Sequence, residues 1–155
     1  MIRILFVCHG NICRSPMAEF CMKDLISRTE HADSFVIASA ATSTEEIRGG
    51  IGNPVYPPAR RELERHGISC EGKRAVLLEK SDYERYDLII GMDRSNLRNM
   101  RRILGGDPEG KCRLLLDYTD SPGDIADPWY TGDFERTWDD ILRGCTGLLG
   151  QLTRQ

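Results

Sequence analysis

The apolar run Ile2-Arg3-Ile4-Leu5-Phe6-Val7 leads straight into Cys8-His9-Gly10-Asn11-Ile12-Cys13-Arg14-Ser15-Pro16, and this junction constrains the fold of the chain more than any other segment. A short apolar run of this kind reads as a buried strand. Gly10 and Asn11 accept φ above zero, so the connection after the strand can curl its N–H groups inward around an oxyanion. Ser15 is suited to cap a helix, and Pro16 to fill its first position, where no N–H is needed. Strand, short loop and helix start thus predict an anion cradle, because the first helical N–H groups lack partners inside the helix. Cys8 stands at the mouth of that cradle, where a thiol would be aimed at a bound phosphate.

Apolar runs alternate with helical patterns along the rest of the chain, which predicts βαβ units and a parallel sheet, hence an α/β fold. Strands are expected at residues 2–7, 35–40, 88–92 and 112–116, and helices near 15–28, 58–66, 95–104 and 134–152. The last helix carries Phe134, Trp138, Ile141, Leu142, Cys145, Leu148, Leu149 and Leu152 on one stripe, with Asp133 as its N-cap. Such sheets bind ligands at the carboxyl ends of their strands. Cys8, Asp93 and the segment 117–130 all follow strands and fall on that rim. Two long loops, 42–57 and 117–132, are expected to shape a site there.

A length of 155 residues fits one domain spanning 1–155. The net charge of −3 suggests neither a nucleic-acid partner nor an anionic membrane. Arg94, Arg98, Arg101 and Arg102 stand at helical spacing and read as a solvated face. No apolar run is long enough to span a bilayer, and the order of a signal peptide is missing, so the cytoplasm is the expected location. The six cysteines are scattered and fit reduced thiols. Only Cys8 and Cys13 have a context that asks for chemistry.

A cysteine, five residues and an arginine recur by chance; here the strand before and Ser15-Pro16 after raise the signal. The helix dipole, the amide nest, Arg14 and the Ser15 hydroxyl should depress the pKa of Cys8. Its thiolate could attack phosphorus without an adjacent base, while the planar fork of Arg14 holds two phosphoryl oxygens. A proton donor for the leaving oxygen is sought among Asp117, Asp120, Asp124 and Asp127. Asp127 is favoured because Pro128 stiffens its surroundings and Trp129-Tyr130 offers aromatic walls; the alternative is that Asp127 merely opens a turn. Three other readings of the loop stay open: a metal site on Cys8, His9 and Cys13, for which no second ligand pair stands at the right spacing; a redox pair of Cys8 and Cys13; and a phosphate-binding module without turnover.

Taken together, these residues resemble the low-molecular-weight protein tyrosine phosphatases. The likeness rests on residues 8–16, Ser39-Ala40-Ala41-Thr42-Ser43, Gly52-Asn53-Pro54, His66-Gly67-Ile68, Met92-Asp93 with Ser95-Asn96-Leu97, and Asp127-Pro128-Trp129-Tyr130. It implies a four-stranded parallel sheet with helices on both faces and no metal or other cofactor. It assigns Cys8 as nucleophile, Arg14 as phosphate clamp and Asp127 as acid and then base. The phosphate loop would comprise His9, Gly10, Asn11, Ile12, Cys13, Arg14 and Ser15. Asn11, Ser15 and Ser39 would support that loop; Ile12, Trp129 and Tyr130 would line the substrate cleft. Cys13 would be a second thiol able to bridge reversibly to Cys8. The partner implied is a phosphotyrosine-containing protein; oligomeric state is left open.

Two kinds of relative share the architecture. Arsenate reductases need further cysteines around residues 75–86, and this chain has none there. Protein-arginine phosphatases usually carry threonine where this chain has Ile12, and an apolar residue there favours an aryl phosphate. One departure from the phosphatase pattern stands out: an aromatic is usual after the Ser39 segment, whereas this chain has Glu45-Glu46, followed by Arg48-Gly49-Gly50 as a short insertion. Acidic rim residues could select basic phosphopeptides; the alternative is a solvated, mobile loop.

Overall fold

The computed structural model describes residues 1–154; Gln155, the last residue of the expected domain, lies outside the described residues. The central strand β1 spans Ile2–Cys8 and pairs in parallel with β2 (Phe35–Ala41) on one side. Its other side pairs with a later strand, Leu88–Gly91. Between these strands in sequence come a two-stranded antiparallel hairpin, β3 (Ile47–Arg48) and β4 (Ile51–Gly52), so Leu88–Gly91 is β5. Beyond β5 lies β6 (Cys112–Leu114), and the sheet runs in the order β2-β1-β5-β6. The strand order reverses beside β1, which is where a doubly wound sheet opens a crevice for a ligand.

Alternation along β1 explains why both faces are covered. Ile4, Phe6 and Cys8 join a core with Met17, Met22, Leu63, Ile141 and Leu148. Those residues come from α1 (Arg14–Ser27), α2 (Pro57–Arg65) and the long final helix, Phe134–Thr153. Leu5 and Val7 point the other way, onto Leu78, Tyr83, Met100 and Leu104. These belong to, or flank, α3 (Asp82–Arg85) and α4 (Arg94–Leu104). A single turn of helix, α5 (Pro128–Thr131), precedes the final helix α6. As expected, the side chain of Asp133 caps α6, accepting from the Arg136 N–H at 2.9 Å.

Several local expectations are corrected. Helix α1 begins at Arg14 with Cys13 as N-cap and no side-chain cap, so Pro16 is its third residue and Ser15 is turned to other work. Strand β6 ends at Leu114, where the chain tightens into a 3-10 turn, Leu115–Tyr118, on which α6 packs. The loop 42–57 holds the hairpin β3–β4, whose Gly49 and Gly50 both take positive φ (58° and 78°). A two-residue connection with left-handed backbone at both positions matches the twist of paired strands, which is why Gly-Gly suits it. The arginines of α4 are exposed, as a solvated face requires.

Candidate active site

The carboxyl end of β1 delivers Cys8 to the floor of a cavity lined also by His9, Gly10, Ile12, Cys13, Arg14, Glu45, Glu46, Asp127, Trp129 and Tyr130. Cys8 and Arg14 therefore share one pocket although they belong to different elements. The loop between them is shaped by Asn11, the one non-glycine residue with positive φ (57°) among those described. Gly10 does not adopt the left-handed backbone; its use is steric, since a Cβ there would lie 3.2 Å from Cγ of Glu46.

Asn11 holds its unusual backbone because its side chain is fully engaged. Its Nδ2 donates to Ser15 Oγ at 2.7 Å and to Ser39 Oγ at 2.9 Å, and its Oδ1 accepts from the Val76 N–H at 3.1 Å. Ser39 in turn donates to Glu19 Oε1 at 2.5 Å, and Lys73 Nζ approaches that same oxygen at 3.6 Å. Because Ser15 Oγ already accepts from Asn11, its own proton is free for Cys8 Sγ, 3.0 Å away. The Ser15 N–H at the start of α1 adds a second donor, 3.4 Å from the sulfur. Ser15 thus sets both its hydroxyl and its N–H against one sulfur.

Arg14 is almost wholly buried. Its Nη1 donates to Asp93 Oδ2 at 2.6 Å and to the Ile125 carbonyl at 2.9 Å, while Nη2 lies 3.5 Å from Asp127 Oδ2. Burial works to lower its pKa, but Cys8, Asp93 and Asp127 outweigh burial and raise it above the ordinary arginine value. The guanidinium is thus a fixed positive charge under the cavity. Cys13, by contrast, is driven well above the ordinary thiol range, first by burial and then by the neighbouring Cys8 charge.

Asp127 opens the turn of α5 and also lines the cavity. Its Oδ1 accepts from the Trp129 N–H at 3.0 Å and so caps α5, while Oδ2 faces Arg14. Trp129 and Tyr130 line the cavity as expected, though Trp129 is half exposed and Tyr130 lies almost entirely in solvent. Asn11, Ser15 and Ser39 stand behind the loop, buried, rather than on the cavity wall.

Sequence reasoning missed Asp93 as a partner of Arg14, Glu19 and Lys73 beneath Ser39, and Tyr56 beside Trp129 (ring centroids 4.8 Å apart). Asp93 alone carried a signal: it follows a strand on the ligand rim. The others come together only through packing. Among the described residues no three His, Cys, Asp or Glu side chains converge as ligands for a metal. The six cysteines are all unbridged. No helix among the described residues is long and apolar enough to cross a membrane.

Known proteins share this architecture. A Bacillus subtilis protein named "Low molecular weight protein-tyrosine-phosphatase YfkJ" is 37% identical over 159 residues, covering 100% of this chain and 98% of its own length. Its crystal structure superposes with a TM-score of 0.92. A Staphylococcus aureus protein, "Low molecular weight protein-tyrosine-phosphatase PtpA", is 31% identical over 99% of this chain and 96% of its own length. The structure of a low molecular weight protein tyrosine phosphatase from Streptococcus pyogenes matches with a TM-score of 0.87 at 36% identity, covering 100% of this chain and 95% of that one. Residues 3–155 also match the family described as "Low molecular weight phosphotyrosine protein phosphatase". With the shared pocket of Cys8 and Arg14 at the end of β1, these likenesses establish that the chain belongs to the low molecular weight protein tyrosine phosphatase family.

Proposed function

We propose that this chain hydrolyses phosphotyrosine monoesters of proteins in two steps through a cysteinyl-phosphate. The observation that carries the reading is the convergence of Cys8, Arg14 and Asp127 on one cavity. In the first step the Cys8 thiolate attacks phosphorus and the bond from phosphorus to the phenolic oxygen breaks. The electron pair leaves on that oxygen, which takes the proton of Asp127. In the second step the Asp127 carboxylate removes a proton from water, the oxygen of that water attacks phosphorus, and the sulfur–phosphorus bond breaks to return the thiolate and free phosphate. Arg14, held from behind by Asp93 and the Ile125 carbonyl, stabilises the equatorial oxygens in both steps.

The amides of His9, Gly10, Asn11, Ile12, Cys13, Arg14 and Ser15 are assigned to the phosphate, and Ile12, Trp129 and Tyr130 to the phenyl ring. The apolar Ile12 suits a phenyl ring better than a guanidinium, which supports tyrosine over arginine as the phosphorylated residue. The cytoplasm is the proposed compartment, supported by six unbridged thiols. The test is rapid mixing with p-nitrophenyl phosphate. A burst of nitrophenol ahead of steady turnover is expected, lost in Cys8→Ser; undiminished turnover in Cys8→Ser overturns the reading. Phosphoarginine peptides hydrolysed faster than phosphotyrosine peptides would move the substrate assignment to arginine.

A further inference from the structure

The pocket has two unlike walls. Trp129 and Tyr130 form one, and the other carries Glu45 and Glu46. The acidic wall is not a loose loop. Thr42 and Ser43 are tied to the strand end, their N–H groups donating to the carbonyls of Cys8 and His9 at 3.0 Å each. The Glu45 N–H donates to Ser43 Oγ at 3.1 Å, and the hairpin β3–β4 closes the segment on its far side. Glu46 is clasped twice by Asn53: its carbonyl accepts from the Asn53 N–H at 2.8 Å, and its Oε1 accepts from Asn53 Nδ2 at 2.9 Å. Both carboxylates are therefore held at the mouth of the cavity that contains Cys8 and Arg14.

Their charges are unevenly answered. Glu45 Oε2 lies 3.0 Å from His9 Nε2, a group that balances it only when protonated. Glu46 is held by a neutral amide, and among the described residues no cation lies within ion-pair distance of it. Among the described residues lining the cavity, Arg14 is the one arginine or lysine, and it is buried below the rim. A phosphomonoester dianion must pass this rim, so a substrate carrying no compensating positive charge meets repulsion there.

From this arrangement we propose that Glu45 and Glu46 are specificity-determining residues that select phosphotyrosine flanked by lysine or arginine and disfavour acidic flanks. The aromatic wall takes the phenyl ring, leaving the acidic wall to the neighbouring residues of the peptide. This rests on the phosphotyrosine reading above and names the substrate class within it. Exposed charge pairs change affinity modestly, so each carboxylate is expected to contribute about a threefold preference.

The experiment compares kcat/KM for three phosphotyrosine peptides of equal length, with lysine, alanine or glutamate on both sides of the phosphotyrosine. The wild-type protein should rank them lysine over alanine over glutamate, spanning about tenfold or more at low salt. The span should shrink at high salt, because the screening length falls from about 10 Å at 0.1 M to about 3 Å at 1 M. In the double variant E45Q/E46Q, which keeps the shape and the hydrogen-bonding oxygen, the three values should converge to within about twofold. For p-nitrophenyl phosphate, an anion with no flanking charge, KM should fall in the same variant as the repulsion is removed. Equal rates for the three peptides in the wild type, or an unchanged ranking in the double variant, overturn the proposal. Failure of the wild type to hydrolyse even the alanine-flanked peptide would instead sink the phosphotyrosine reading itself.

Discussion

Asp93 and Asp127 divide their carboxylate oxygens in the same way: each uses Oδ1 to cap a helix and presents Oδ2 to the guanidinium of Arg14. Asp93 caps α4 through the Asn96 N–H at 2.7 Å, and Asp127 caps α5 through the Trp129 N–H at 3.0 Å. Two helix starts thus meet at one buried cation. The arginine is oriented by groups whose own positions are set by backbone, and a side chain so held loses little freedom when it binds phosphate.

Asp93→Asn keeps a capping side chain but removes the charge that orients Arg14. We expect kcat/KM for an aryl phosphate to fall about tenfold, a loss near 1.4 kcal/mol, with thermal stability little changed. Arg14→Lys should cost more, about 10²–10³, because an ammonium cannot bridge two phosphoryl oxygens. Steady-state kinetics and a melting curve for each variant check both. An Asp93→Asn protein as active as the wild type would show that the Ile125 carbonyl and Asp127 suffice to orient the guanidinium.

For Asp127→Asn, the loss should depend on the leaving group. Unactivated phenols should suffer about 10²–10⁴, and nitrophenol-like groups far less, since a good leaving group needs no proton. A plot of log kcat/KM against leaving-group pKa should steepen in the variant. Parallel plots would remove Asp127 from the acid role and leave it as a cap.

The buried chain Asn11–Ser39–Glu19–Lys73 should govern stability and activity together. Asn11→Ala abandons three hydrogen bonds and the residue type suited to φ of 57°, with an expected loss of about 3 kcal/mol. Glu19→Ala leaves Lys73, whose pKa burial already lowers, without its carboxylate, at about the same cost. Urea unfolding measures both. Phosphate affinity, read by competitive inhibition, should weaken further in Asn11→Ala than in Glu19→Ala, because Asn11 belongs to the loop itself.

Oxidation offers a separate check on the two thiols of the loop. Peroxide should oxidise Cys8 to the sulfenic acid, and Cys13 should condense with it, releasing water and forming a disulfide. Dithiothreitol should restore most activity to the wild type and little to Cys13→Ser, where Cys8 proceeds to the sulfinic acid. Full recovery in Cys13→Ser would discount the pairing.

Acid stability should trace partly to Asp107. Burial raises its pKa, but donors from Tyr83 Oη (2.8 Å), Lys111 N (2.7 Å) and Cys112 N (3.1 Å) win, and the net shift is downward. A depressed folded value means its contribution is complete above the ordinary aspartate range, near 3.9, and is lost as pH falls through the folded value. Asp107→Asn should therefore flatten the fall of unfolding free energy below about pH 4. Chemical denaturation across that range would reveal it; an unchanged slope would place the acid sensitivity elsewhere.

The local signals were strong where one segment carries its own physics. An apolar run bounded by turn residues specifies β1, the stripe from Phe134 to Leu152 specifies the inner face of α6, and Asp133 announces its cap. The Cys8–Arg14 segment read as a cradle because its residue types each suit one place in a short loop. Ser15 suits both a helix cap and a partner for the Cys8 sulfur, because a hydroxyl at a helix start has two places to point; its Oγ lies 3.0 Å from the sulfur and caps nothing. Only the position of Cys8 against α1 decides between them.

Strand periodicity, loop chemistry and residue type therefore determined an α/β sheet whose first strand ends at a cysteine and a short loop into a helix. What surrounds the cradle was settled by the tertiary fold alone. Asp93 reaches Arg14 across 79 positions of sequence and Lys73 reaches Glu19 beneath Ser39, while Glu46 lies against Gly10 and Glu45 against His9. These meetings depend on how helices pack on the two faces of the sheet, and a pairing between distant segments leaves no periodic trace in either one.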